Sequence, residues 1–313
     1  MIQKIHCSNF RSFDEFEIGF GKFNVLIGAN AAGKSNFIQL LKFIKDIKSF
    51  GYENAIQLQG GLDFLSNFDF PEKALKIDFQ PGENSIIIES KDDTITKNEI
   101  NFSNGFNDLK IKIFDFNFDL IKSPSSIESL LELEENGSNL PVVLKNIFKE
   151  EDNKRSFLNY LQFILPFVKD INSKDYFDNH LMISLNEVFN TEKIIPGSML
   201  SNGTISIICI IASLFFDKSD IAVFEEPDRS VHPQTHEKLV KLFYEASEEK
   251  QIFLSTHNPE ILKYCNLEDI YLLSRNNKGY TEIKNVTDYK TLKLFLDQDM
   301  GIDQIFCDLL LTD

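Results

Sequence analysis

The chain has 313 residues, 42% of them apolar and 26% charged, which makes it a globular protein with length for one large or two ordinary domains and no difficulty in burying a core. Its formal net charge of −16 excludes coating of nucleic acid by general electrostatic attraction, because phosphate neutralisation needs clustered Lys and Arg; a local basic groove stays open. Cys7, Cys209, Cys265 and Cys307 stand alone, without C-x-x-C spacing or a disulfide framework, and read as reduced thiols.

Met1-Ile-Gln-Lys-Ile-His-Cys7 reads as a strand, with no charged-then-apolar signal segment, so a cytoplasmic protein is expected. Runs 13–20 and 23–27 are strand-like around a turn at Gly21, and 37–47 carries apolar residues at helical spacing. Between the second strand and the helix lies Gly28-Ala-Asn-Ala-Ala-Gly33-Lys34-Ser35, a match to G-x-x-x-x-G-K-[ST]. From 75 to 118, short apolar runs such as 85–89 and 109–114, separated by Asn, Asp and Gly, predict an antiparallel sheet.

Residues 123–174 read as helical. Phe157, Tyr160, Leu161, Ile164, Phe167, Val168 and Ile171 share one helical face, which Pro166 kinks or divides, and the stripe suits a small lobe packing on the body. The acidic run 128–135 reads as a solvated helix face. Residues 181–189 return to strand, and 205–216 form an apolar helix too short to span a bilayer, which takes about 20 residues. Strands 221–224 and 251–254 flank a helix at 234–246, the pattern of a parallel α/β core. No internal repeat, low-complexity linker or sustained heptad array appears.

Glycines in the loop 28–33 let backbone N–H groups approach phosphates, while Lys34 and the Ser35 hydroxyl reach phosphate oxygens and magnesium at the start of a helix. Glu225 and Glu226 end an apolar strand, where alternation turns one carboxylate toward magnesium and the other toward the γ-phosphate and attacking water. We assign Glu225 to the metal and Glu226 to the water. Leu200-Ser201-Asn202-Gly203-Thr204 opens a helix and reads either as an anion site or as ordinary helix capping. His257, in Ser-Thr-His-Asn-Pro after a strand, is placed to bond a γ-phosphate and water. His232 and His236 have i, i+4 spacing but lack the acidic partner of H-E-x-x-H, so metal binding by them is not expected.

With these segments in one order the chain resembles the ABC-type ATPases, and more narrowly the RecF, SMC and OLD-like branch of prokaryotic AAA proteins. The narrower match rests on Asn9-Phe10-Arg11-Ser12-Phe13, Gly60-Gly61, Gly137-Ser-Asn-Leu140, the signature at 200–204, and Glu225-Glu226-Pro227 followed by Val231-His232-Pro233. It covers nearly the whole chain. The resemblance implies an α/β fold: an ABC-type P-loop ATPase head with a mixed or parallel core sheet, an N-terminal antiparallel β subdomain and a small helical lobe. The implied parts are 1–122, 123–180 and 181–313. It also implies ATP and Mg2+, with nucleotide held by Asn30, Ala31, Ala32, Gly33, Lys34, Ser35 and Asn36, metal by Ser35 and Glu225, and catalysis by Glu226 and the switch histidine His257. A homodimer would sandwich two ATP molecules, each also touched by Ser201 and Gly203 of the other subunit. Arg11 or Phe10 would lie near the base or ribose, and His232 in a loop linking the two sites. Three departures stand out: Glu225 where many ABC proteins have Asp, Ser206 in place of an arginine, and only Gln57 and Gln59 as candidates for the magnesium-contacting glutamine.

The function expected is an ATP-driven switch acting on a separate protein effector, for which a nuclease is one candidate, as in anti-phage systems such as Septu and retron-associated modules. No nuclease constellation follows His257. The alternative is a RecF-like DNA maintenance ATPase, with nucleic acid as partner. A transporter subunit is disfavoured by Thr204 and the N-terminal match, and no membrane partner is expected; a non-hydrolysing ATP-binding scaffold also survives.

Overall fold

The computed structural model describes residues 1–288 other than 68, 70–72, 81, 92, 93 and 191. The chain divides into two compact units, Met1–Ile111 with Lys250–Asp313, and Lys112–Glu249. In the first, β1 (Lys4–Phe10) and β2 (Phe13–Gly19) pair antiparallel, and β3 (Phe23–Ile27) leads through the glycine loop to α1 (Lys34–Phe50) and α2 (Tyr52–Leu58). Then come β4 (Leu75–Gln80), β5 (Asn84–Lys91), β6 (Thr94–Asn101) and the short α3 (Asn104–Asn107). Strands in the order β2-β1-β4-β5-β6 make the antiparallel N-terminal sheet.

Sequence pattern separates the two kinds of strand. Burial alternates strictly along β4, as a sheet with one solvated face requires, whereas every residue of β3 is buried. The one polar side chain in β3, Asn24, is satisfied: its amide donates to Gly21 O and Ile252 O, and its Oδ1 accepts from Gly21 N. Gly51, at φ +80, closes α1 by donating to Ile47 O.

The second unit opens with β7 (Ile111–Phe114), α4 (Phe118–Ile121) and the two-residue β8 (Ser125–Ser126). It continues through α5 (Leu140–Ile147), α6 (Glu151–Ile164), β9 (Val168–Asp175), β10 (His180–Glu187) and β11 (Ile194–Pro196). Next come α7 (Asn202–Ile211), prolonged by a π-helical turn at Ala212–Phe216, then β12 (Ile221–Glu225) and α8 (His236–Ser247). β8, β9 and β11 all pair with β10, and β7 lies beside β12, with Phe114 stacked on Phe224 at 5.1 Å. The chain then re-enters the first unit as β13 (Gln251–Thr256), β14 (Ile270–Arg275) and β15 (Thr281–Asn285). There β3 runs parallel to both β13 and β14, and β15 is antiparallel to β14.

Three expectations need correction. The segment 123–174 is helical only at α5 and α6. Pro166 cannot continue a helix and restricts the residue before it, so α6 ends at Ile164, and Val168 and Ile171 reach the core from β9. The acidic run 128–135 is a loop, not a helix face, organised by buried Asn139, which donates to Leu130 O and Glu132 O and accepts from Glu134 N. Run 109–114 supplies β7, which pairs beside β12 and takes no part in the antiparallel sheet.

Aromatic rings fill the space between α1 and the strands β13 and β14. Phe20 lies 5.1 Å from both Phe253 and Tyr271 and 5.5 Å from Phe37. Part of the high phenylalanine content, 30 residues, is thus spent on tilted ring pairs that fix where α1 rests on the sheet.

Candidate functional site

Because β3, β13 and β14 are parallel, their carboxyl ends share one edge of the first unit, the edge at which α/β folds place ligands. Ile27 pairs with both Thr256 and Leu272, so Gly28 and His257 leave neighbouring strands at one level and Leu273 comes alongside. A Cβ on Gly28 would stand 2.3 Å from Leu273 O, and one on Gly33, at φ +111, would stand 2.3 Å from Thr281 Oγ1. These contacts leave no room for a side chain at either motif glycine. Ala31 is held left-handed at φ +64.

Lys34 turns back into the loop and donates from Nζ to Gly28 O at 2.7 Å and Ala29 O at 3.1 Å. No side chain caps α1 through Gly33, and its first turn holds no acidic residue. A long helix whose N-cap glycine brings no side-chain cap, behind a glycine cradle and a buried ammonium, fits a polyphosphate. Asn30, Ala31 and Ser35 are exposed, Asn36 is half-buried, and Ala32 and Gly33 are buried. His257 is exposed at the end of β13.

Arg11 follows β1 at φ +49 and donates from Nη2 to Gln59 Oε1 at 2.7 Å. Burial lowers its guanidinium pKa from the ordinary value, and its buried Nε has no hydrogen-bond partner among the described residues. Arg11, Ser12, Asn36, Asn67, Arg275 and Tyr280 line a cavity of about 390 Å3. Phe10 is fully buried and packs on Phe43 at 6.0 Å, so Arg11 reaches this cavity and Phe10 does not. Of the two glutamines, Gln57 is exposed, whereas Gln59 is buried and engaged by Arg11.

In the second unit, β12 is buried through Phe224, and Glu225 and Glu226 emerge half-buried. Glu226 adopts φ +47, an uncommon conformation for a residue with a Cβ, and such strain collects at functional sites. Glu225, Glu226, Asp115, Phe116, Ser206 and Arg229 line a cavity of about 230 Å3. Ser201 caps α7: its Oγ accepts from Thr204 N at 3.1 Å and lies 2.9 Å from the Thr204 hydroxyl. A Cβ on Gly203 would stand 2.5 Å from Ser230 O. Ser206, buried, donates to Pro227 O at 3.0 Å. The signature helix and the turn after Glu226 therefore touch at both Gly203 and Ser206.

His232 is exposed, and its Nδ1 accepts from Gln234 N; His236 is buried, with neither ring nitrogen hydrogen-bonded among the described residues. Among the described residues no cluster of three His, Cys, Asp or Glu could hold a metal by itself. Magnesium in nucleotide sites needs only one or two protein ligands beside phosphates and water, and Ser35 and Glu225 are hard oxygen donors of that kind. The structure thus gathers the loop, Arg11 and His257 in the first unit, and the two glutamates and the signature in the second. Sequence reading missed Arg275 and Thr281 beside the loop, which no spacing marks, and gave Ser12 no role within its segment. It also missed Asp115, which follows an apolar strand as Glu225 does and was open to the same argument.

A glycine cradle of this geometry before an uncapped helix defines a P-loop nucleotide-binding protein. The chain belongs to the family described as "AAA domain, putative AbiEii toxin, Type IV TA system", whose model matches residues 23–263. No curated protein matches it. Its fold is similar to the SMC head domain from Thermotoga maritima, with 17% identity and a TM-score of 0.53, covering 91% of this chain and 98% of that one. It is also similar to an SmcHead bound to the C-winged helix domain of ScpA, with 17% identity and a TM-score of 0.62, covering 90% and 96%. A third is the Smc head domain with an extended coiled coil bound to the C-terminal domain of ScpA derived from Pyrococcus furiosus, with 14% identity and a TM-score of 0.61, covering 96% and 99%. At these identities the likeness carries the fold, that of an ABC-type ATPase head of the RecF and SMC kind. Among the described residues no helix is long and apolar enough to cross a membrane.

Proposed function

We propose that the protein is an ATP-hydrolysing dimeric switch whose closure on nucleotide controls a separate protein effector. The observation that carries the reading is the loop itself, with Lys34 withdrawn onto Gly28 O and Ala29 O above an uncapped α1. Polyphosphate offers that ammonium stronger acceptors than neutral carbonyls, and offers the α1 N–H groups an anion. In this reading residues 30–36 hold the phosphates, Arg11 lies on the nucleoside side, and Ser35 with Glu225 would hold Mg2+. A bound magnesium supplies charge neutralisation at the phosphate oxygens. Glu226 orients and polarises the attacking water, and His257 bonds the γ-phosphate and that water. Ser201 and Gly203 of a second copy complete each site, so closure needs nucleotide.

Two similarities support a protein partner and a damaging output. Two of the three SMC heads described above are bound to a domain of ScpA, and the family description names a putative toxin of a Type IV TA system. The second fits a role in anti-phage defence. The test is hydrolysis by Glu226→Gln, in which a neutral amide replaces the carboxylate: ATP stays bound and turnover falls about 100-fold or more. Equal turnover by both proteins would remove Glu226 from the chemistry.

A further inference from the structure

The motif defines the phosphate loop, but a second part of the chain shapes it. Arg275, at the end of β14, donates from Nε to Ala31 O at 2.9 Å and from Nη1 to Gly279 O at 2.7 Å. One planar guanidinium thereby bridges the left-handed residue of the phosphate loop and the turn between β14 and β15. Thr281, at the start of β15, adds a second brace: its hydroxyl donates to Ala32 O at 3.1 Å, and its side chain packs where Gly33 has no Cβ. The same hydroxyl lies 2.7 Å from Ser12 Oγ, which accepts from Asn36 Nδ2 of α1 at 2.6 Å. Leu273, also on β14, meets Gly28. The hairpin of β14 and β15 therefore touches the loop at Gly28, Ala31, Ala32 and Gly33, near both of its ends.

We propose that Arg275 and Thr281 are positioning residues for nucleotide binding, which act by holding the loop from Gly28 to Gly33 in its phosphate-accepting shape. The proposal rests on the nucleotide reading of the loop and goes beyond it, because neither residue belongs to a motif. Left-handed backbone at Ala31 is strained. A carbonyl fixed by a charged or hydroxyl donor fixes the plane of its own peptide, and with it the direction of the next N–H, before any ligand arrives. Preorganisation of this kind acts on the phosphates alone and is indifferent to the base.

Calorimetric titration of the full chain with Mg-ATP, Mg-ADP and Mg-tripolyphosphate separates the outcomes. Arg275→Ala is expected to weaken all three by one common factor, about tenfold, the scale of a lost hydrogen bond from a charged donor. Its kcat at saturating ATP should stay at the wild-type value. Arg275→Lys should weaken all three as Ala does, since an ammonium cannot span Ala31 O and Gly279 O as a fork. Thr281→Val, of nearly equal volume, should repeat the pattern. Three results would overturn the proposal: tripolyphosphate bound as tightly as by wild type while ATP weakens, full rescue by lysine, or no weakening in either the arginine or the threonine variants. Wild type and Lys34→Ala are titrated beside them. If wild type binds none of the three ligands, or Lys34→Ala binds them undiminished, the nucleotide reading itself fails, independently of the brace.

Discussion

Two helices begin at motifs of the same kind, a short glycine-containing turn of small residues, yet their N-termini differ in capping. α1 begins at Gly33 with no side-chain cap and with Lys34 folded into the preceding loop. α7 begins at Ser201, whose hydroxyl already accepts from Thr204 N. The first has no side-chain cap from its N-cap residue; the second has a donor satisfied by its own cap. That difference matches the division of labour proposed above, in which one subunit binds nucleotide alone and the signature engages only when another subunit presents it.

Substitutions can break or sharpen this contrast. The largest effect is expected beneath α1, where Phe37 is fully buried against Phe20 and Phe253. Phe37→Ala should lower unfolding free energy by about 3–5 kcal/mol in denaturant titration. Lys34→Ala, at the open end, should weaken ATP binding about a hundredfold in equilibrium titration while leaving the fold intact. At the capped end Ser201→Ala should cost about 1 kcal/mol of stability and leave ATP binding by the single subunit unchanged, which melting curves with and without ATP would register. Smallest is Glu226→Gly. Relief of the left-handed strain at φ +47 outweighs the added chain entropy by about 0.5 kcal/mol, so the variant should be slightly more stable and inactive. Loss of stability there would mean that the turn after β12 depends on the glutamate side chain.

Buried thiols give an independent check on the core. Burial pushes Cys265 up to about 12 and Cys7 and Cys209 higher still. At pH 8 their thiolate fraction in the native protein is therefore negligible, and none of the three should be alkylated until denaturant is added. Cys307 lies outside the described residues.

The motif segments were legible because each is a local pattern with a local cause: strand, loop and helix for 23–50, a strand ending in acids for 221–226. Asn-Phe-Arg-Ser at the end of β1 was legible only through resemblance, since nothing local explains why Asn9 and Arg11 are both left-handed. The lobe misled for a physical reason. Apolar residues at Val168 and Ile171 continue the helical spacing of Phe157, Leu161 and Ile164 across Pro166, and spacing alone cannot tell a helix from a helix followed by a strand that faces the same core. Arg275 and Thr281 were invisible because the backbone groups they brace, Ala31 and Ala32, are 244 and 249 residues away and carry no side-chain signature. Ser206 shows the reverse. It read as a departure from a family pattern, and its hydroxyl proves to tie α7 to Pro227.

The most direct test of the account is the oligomeric state of Glu226→Gln with and without Mg-ATP, measured by analytical ultracentrifugation beside the double variant Glu226→Gln, Ser201→Arg. The account predicts a monomer without nucleotide and a dimer with it, while the double variant binds ATP and stays monomeric. A Glu226→Gln protein that binds ATP yet remains monomeric, or a double variant that dimerises as readily, would contradict it.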